Sequence, residues 1–316
     1  MPTGCQVCNL FAVFEAPQWK GVFPSLPTPF GLDDGIDLAA QRRLVRFSIE
    51  AGAHGMLCFG LAGEVFKLTG AERNQLLEAI VVEADHRVPV LAGVGAEALH
   101  TSIALAIAAE AAGADAVVVP PPITSRSSRR ELLRYFETIA GAVSVPVAIQ
   151  DAPEYLNIEV GRDMVETLLD RCENVCIVKL EAGADSLGEW VDHFRGRAAI
   201  FGGSGGLYLL DSLAEGVAGF APGVDMIDWL VEIYEMWTGG DVAAATARFE
   251  RLLPTLLFQL QDIEHYNACA KFVLRQRGVL DHDRLRAPAS QLGENGRRLM
   301  VAHLARMGVL CHEPTG

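Results

Sequence analysis

Short, uniformly apolar runs rich in β-branched residues recur along the chain: Val22–Leu26, Met56–Phe59, Val88–Ala92, Ala116–Val119, Val145–Gln150, Val175–Lys179, Ala198–Phe201 and Val217–Ala221. Each is too short for a helix and lacks the alternation of a half-exposed strand, which is the pattern of parallel strands buried on both faces. Between them Leu38–Ala51, Ala71–Ala84, Thr101–Ala112, Ser128–Ala140, Gly161–Arg171, Gly183–Phe194 and Leu207–Glu215 carry apolar residues at helical spacing. Thr69 with Glu72 and Ser128 with Glu131 have the spacing of capping boxes, and Gly52, Gly113 and Gly216 stand where helices should end. Eight strands alternating with helices predict an α/β fold, and the count favours a closed (β/α)8 TIM barrel over a doubly wound sheet. This barrel spans 21–224. From Asp225 onward the strand signal stops, and Ile227–Trp237, Val242–Asp262, His265–Gly278 and Leu292–Met307 read as helices. One completes the barrel; the others form an appended C-terminal helical region over 225–316. Residues 1–20 precede the first strand and read as a poorly ordered N-terminal extension.

Composition narrows the function classes. Half of the 316 residues are hydrophobic and 21% are charged, an ordinary globular balance. The net charge of −14 argues against nucleic acid and against an anionic membrane surface as partners. It also means that an acidic small-molecule substrate must be held by local groups, against the field of the whole chain. No apolar stretch approaches the length of a membrane span, and the N-terminus lacks the basic start and apolar run of a signal peptide. Seven cysteines, an odd number, argue against a disulfide framework and for a reducing, cytoplasmic setting. Cys5 and Cys8 form a C-x-x-C pair, but no second pair or nearby His completes a zinc site, so no metal is expected. The basic cluster at Arg126–Arg130 reads as a solvated helix start.

In a barrel of this kind the chemistry sits at the C-terminal ends of the strands. That rule selects Thr28, Gly60–Glu64, Pro120–Ile123, Gln150–Pro153, Lys179–Glu181, Gly202–Gly206 and Pro222–Gly223. Lys179 stands out among only four lysines (Lys20, Lys67, Lys179 and Lys271) because it ends an apolar strand. Desolvation there favours the unprotonated amine, which attacks a ketone to form an imine. The alternative is a buried ion pair with Glu181 or Asp151. Lys20 lies at the wrong end of the barrel, Lys67 begins a helix within reach of solvent, and Lys271 lies in the late helices. The turns Gly60-Leu61-Ala62-Gly63 and Gly202-Gly203-Ser204 can each present backbone N–H groups to a carboxylate, or can be plain βα turns.

At these residues the chain resembles the dihydrodipicolinate synthase/N-acetylneuraminate lyase family. The resemblance runs from about Gly21 to Leu310. It rests on Gly21-Val-Phe-Pro with Thr28-Pro-Phe, Gly60-x-x-Gly-Glu64, Ala92-Gly-Val-Gly95, Gly113-Ala-Asp-Ala116, Val178-Lys179 with Glu181, Gly216-Val-Ala-Gly219, and the late stretch Ala270-Lys-Phe-Val with Arg286-Ala-Pro288. It implies a Schiff-base lysine at Lys179 with no separate cofactor, binding of a pyruvate-type carboxylate at Gly60–Gly63, and a homotetramer built as a dimer of dimers. The departures are informative. Leu61 and Ala62 stand where the family's synthases carry two threonines. Gln150-Asp151-Ala-Pro153 replaces their Tyr-Asn-x-Pro, and Pro120-Pro-Pro-Ile123 replaces their Pro-Tyr-Tyr. Ser204 and Gly205 stand where some sugar-acid lyases carry an acidic pair. Gln-Asp-Ala-Pro with Lys-x-Glu is similar to the branch with 2-keto-3-deoxy-sugar-acid dehydratases, including the L-2-keto-3-deoxyarabonate type.

The expectation is thus a lyase of a small 2-oxo acid, a dehydratase or an aldolase. Lys179, Glu181, Asp151 and Gln150 are its candidate catalytic residues. Thr28, Gly60, Leu61, Ala62, Gly63, Gly203 and Ser204 are its candidate substrate-binding residues. Glu181 is the first choice to move the proton, since strand alternation turns it to the same face as Lys179. Glu64 is expected to support its turn, and Tyr155 to be a partly exposed loop aromatic, with replacement of the lost phenol as the alternative. The competing expectation is a catalytically idle barrel that binds a 2-oxo acid or serves as a structural oligomer. The missing tyrosines favour that alternative and the retained Lys179 opposes it.

Overall fold

The computed structural model describes residues 16–309. Cys5 and Cys8, and with them the C-x-x-C pair, lie outside the described residues. Eight parallel strands form one sheet: β1 (Gly21–Val22), β2 (Met56–Cys58), β3 (Val90–Gly93), β4 (Ala116–Val119), β5 (Val147–Asp151), β6 (Val175–Leu180), β7 (Ala199–Gly202) and β8 (Gly219–Phe220). Their order is β1-β8-β7-β6-β5-β4-β3-β2. The sheet closes where the chain leaving β1 meets β2: Leu57 N donates to Pro24 O (2.9 Å) and Leu26 N to Leu57 O (2.8 Å). The barrel expected from the hydrophobic pattern is therefore present, with every strand inside or within a few residues of its predicted run.

The barrel helices are α1 (Leu38–Glu50), α2 (Gly70–Ala84), α3 (Leu99–Ala111), α4 (Arg129–Ala140), the single turn α5 (Pro153–Leu156), α6 (Arg162–Arg171), α7 (Ala184–His193), α8 (Leu209–Ala214) and α9 (Ile227–Thr238). The late helices are α10 (Val242–Gln259), α11 (Ile263–Gln276) and α12 (Glu294–Met307). Thr69 and Glu72 make the full reciprocal capping box at α2. At α4 only half of the box forms. Ser128 Oγ accepts from Glu131 N, but the Glu131 carboxylate turns to Arg134 instead of back to the cap. No helix among the described residues is long and apolar enough to cross a membrane.

Two apolar clusters follow from the strands' period of two. Residues facing outward from the strands, such as Met56, Cys58, Val117 and Val178, pack under the helices. The alternate residues fill the barrel interior: Phe23, Leu57, Leu91, Val118, Ala148, Ile177 and Phe201. Phe23 and Phe201 meet edge to face there, with ring centroids 5.1 Å apart. This inner plug fixes what lies above it. Moving two residues along each strand from Phe23, Ala148 and Ile177 gives Ser25, Gln150 and Lys179, and two more from Lys179 gives Glu181. The floor of the site is thus set by the same alternation that builds the core.

Candidate active site

A cavity opens at the C-terminal end of the barrel. Ser25, Gln150, Lys179 and Glu181 line its floor, Gly60, Leu61 and Ala62 one wall, and Tyr155 and Gly205 another. Its roof comes from outside the barrel: Leu260, Asp262, Ile263 and Tyr266, around the junction of α10 and α11.

Lys179 and Glu181 are both 8% exposed and form an ion pair. The lysine is therefore not in a purely apolar pocket: the ion pair with Glu181, the alternative reading of this residue, is present, and Lys179 also lines the cavity. Gln150 is the Cα partner of Lys179 across the β5–β6 ladder. Its amide lines the cavity and has no hydrogen-bond partner among the described residues.

The two backbone turns behave differently. Leu61–Gly63 is a single 3₁₀ turn. Gly63 N donates to Gly60 O (2.9 Å), so its N–H is spent, whereas the N–H groups of Leu61 and Ala62 have no partner among the described residues. Those two are the backbone donors the turn can offer a carboxylate. Thr28 donates to Gly63 O (2.7 Å) and so braces the turn from behind without lining the cavity. Behind the turn, Glu64 is buried in a left-handed conformation (φ 52°). It is held by Lys271 (2.5 Å), Lys67 (3.1 Å) and Arg286 N (3.2 Å). Glu64 thus supports its turn as expected. Lys67 does not reach freely into solvent: it ends a 3₁₀ turn and is held between Glu64 and Glu264 (3.0 Å).

The second turn, after β7, is already filled. Ser204 N donates to Glu181 Oε2. A Cβ on Gly203 would displace the same carboxylate. Gly203 and Ser204 therefore seat Glu181, and through it Lys179, and neither lines the cavity.

Asp151 is the clearest correction to the expected placement. Alternation puts it on the face opposite Gln150, where its carboxylate accepts from Val160 N (3.1 Å) and Gly161 N (2.9 Å). It does not line the cavity. Burial raises the carboxyl above the usual range, while the two N–H groups pull it back. It serves to anchor the loop after β5.

Tyr155 is the opposite case. The turn α5 folds it over the cavity, and its hydroxyl has no hydrogen-bond partner among the described residues. Burial, with the negative charge of Glu181 nearby, pushes the phenol up to about 12, so it keeps its proton at neutral pH. Tyr266 also lines the cavity, but it donates to the buried Asp225 (2.8 Å), which Gln259 also holds (2.7 Å). Burial and the Asp225 charge raise the Tyr266 phenol well above its usual value. Its hydroxyl occupies the space a side chain on Gly223 would need, which docks α11 onto the end of β8. Ser25, Tyr266 and Asp262 had no place among the sequence candidates. Alternation from Phe23 would have found Ser25; no local signal points to the other two.

Comparison with known proteins bears on the family and the fold. The family model "Dihydrodipicolinate synthetase family" matches residues 18–307. The chain is 28% identical over 304 residues to an L-2-keto-3-deoxyarabonate dehydratase of Azospirillum brasilense, covering 94% of this chain and 97% of the relative. It is 30% identical over 307 residues to a 4-hydroxy-tetrahydrodipicolinate synthase of Methylobacterium radiotolerans, covering 92% and 96%. Among solved structures, a prophage protein of the dihydrodipicolinic acid synthase family from E. coli K12, in complex with pyruvate, superposes with a TM-score of 0.86. It is 26% identical, with 92% of this chain and 99% of that one covered.

Proposed function

This chain belongs to the dihydrodipicolinate synthetase family and is a lyase, and we propose that it is a Schiff-base dehydratase of a 2-keto-3-deoxy sugar acid. The observation that carries the proposal is the pairing of Lys179 with Glu181 on the wall of an open cavity. Glu181 takes a proton from Lys179, and the neutral amine adds to the C2 carbonyl of the substrate. Returning the proton to the carbinolamine oxygen expels water and leaves a protonated imine. The substrate carboxylate rests on the N–H groups of Leu61 and Ala62, and the iminium charge acidifies the C3 proton.

Glu181 is then again a carboxylate beside that carbon and accepts the C3 proton, giving an enamine. The enamine electrons expel the C4 hydroxyl, which leaves as water with a proton from Glu181 or from the Tyr155 phenol. Hydrolysis of the resulting imine restores Lys179. Dehydration needs no aldehyde acceptor and a single proton shuttle near C3 and C4, which suits a cavity with Gln150 where a synthase tyrosine would stand. The dehydratase relative supports the same reading, while the synthase relative keeps aldol-type chemistry as the alternative outcome. A cytoplasmic homotetramer accompanies the proposal, and gel filtration with light scattering measures that assembly directly.

The test is a panel of 2-keto-3-deoxy sugar acids assayed in parallel for loss of water and for release of pyruvate. The proposal expects water loss without pyruvate. Pyruvate and a short aldehyde as main products would replace it with a retro-aldolase.

A further inference from the structure

Of the two backbone turns suited to a carboxylate, only one lines the cavity and is open. At Leu61–Ala62 two N–H groups have no partner among the described residues. At Gly203–Ser204 the protein's own Glu181 is already seated. The charged side chains that line the cavity are Lys179, Glu181 and Asp262. Lys179 is paired with Glu181. The cations nearby do not line the cavity and are committed elsewhere: Lys67 and Lys271 to Glu64, and Arg286 to Glu72. Asp262 stands at the rim as the cap of α11. Its Oδ1 accepts from His265 N (2.8 Å), and its other oxygen has no partner among the described residues.

We infer that the cavity takes 2-oxo acids bearing a single carboxylate and a neutral, hydroxyl-bearing far end, and that Asp262 is the residue that rejects a second carboxylate. This rests on the proposed function only for the substrate's orientation, with C1 at Leu61–Ala62 and C2 at Lys179. The far end then meets the Gln150 amide, the Tyr155 hydroxyl and Asp262. The free Asp262 oxygen accepts a hydrogen bond from a hydroxyl. A carboxylate has no proton to give at neutral pH, meets a like charge, and finds no cation to compensate it.

Titration calorimetry of the wild-type chain with 5-hydroxy-2-oxopentanoate and 2-oxopentanedioate tests this, because the two differ only in the far end. The hydroxyl-ended acid should bind more tightly by on the order of tenfold. The variant Asp262→Asn should narrow the ratio, and Asp262→Lys should reverse it. Equal or tighter binding of the dicarboxylate by the wild type would overturn the inference, as would an unchanged ratio in Asp262→Lys. Borohydride trapping of pyruvate, run beside it, reads the imine separately. A preserved binding preference without trapping supports the selectivity and counts against the Schiff-base reading alone.

Discussion

Two buried lysine–glutamate pairs lie behind and below the same turn, and they differ in what surrounds the ammonium. Lys271 is fully buried. It reaches Glu64 (2.5 Å) and Arg284 O (2.9 Å) and lies 4.3 Å from the centre of the Phe30 ring. Lys179 is slightly less buried, has Glu181 as its charged partner, and borders the cavity. Burial alone would have chosen Lys271 as the reactive amine. A lysine bonded to a carboxylate and a carbonyl in a sealed site is a structural brace, because any reaction would take from the buried Glu64 one of its two lysine partners. A lysine with one carboxylate partner and open volume beside it can lose its proton and meet a carbonyl. The difference between the two regions is access, not desolvation.

Substitutions at the two sites should therefore fail in different ways. The largest effect is expected at Lys179→Ala, which removes the nucleophile: turnover and borohydride-dependent mass gain with pyruvate should both vanish while the circular dichroism spectrum stays native. Next comes Glu181→Gln. It should still trap pyruvate but lose turnover by roughly 10²–10⁴-fold, the range of a lost acid–base group. Steady-state kinetics beside trapping separates the two steps. If that variant turns over normally, the proton shuttle lies elsewhere, with Tyr155 the first place to look.

At the sealed site, Lys271→Met should cost about 3–5 kcal/mol of stability in urea unfolding, since Glu64 is left without its main partner. The folded fraction should still form the imine at Lys179. A stable Lys271→Met that no longer traps pyruvate would erase the distinction between the sites. The smallest effect is a pH slope. Burial brings Lys271 from its usual 10.5 down to about 8, with Glu64 pulling the other way. Between those values the unfolded chain holds a proton that the folded chain has released, so this group makes stability rise with pH across that window. Urea midpoints measured from about pH 8 to 10 should rise less steeply in Lys271→Met than in the wild type.

How much of this was legible in the sequence follows from the range of the interactions. The eight strands were readable because burial on both faces requires continuous apolar, β-branched runs. Lys179 was readable because it breaks such a run at its functional end. Asp151 and Gln150 were both put forward, although the period of two that paired Lys179 with Glu181 also separates these two; applied evenly, it would have kept Gln150 and set Asp151 on the loop. Tyr155 is partly exposed, as expected, but its place over the cavity was hidden because α5 is a single turn, too short for any periodicity. The roof of Asp262 and Tyr266 depends on where α11 docks, through Tyr266 on Asp225 and Glu64 on Lys271, and such contacts span dozens to hundreds of residues. The role of Gly203 and Ser204 as the seat of Glu181 was hidden for the same reason.

The central claim is that Lys179, and not the more deeply buried Lys271, carries the substrate. Incubation of the wild-type chain with pyruvate and borohydride, followed by proteolysis and mass mapping, tests it in one step. The account predicts a single modification on the peptide containing Lys179 and its absence from Lys179→Ala. Modification at Lys271 or Lys67, or labelling that survives in Lys179→Ala, would contradict it.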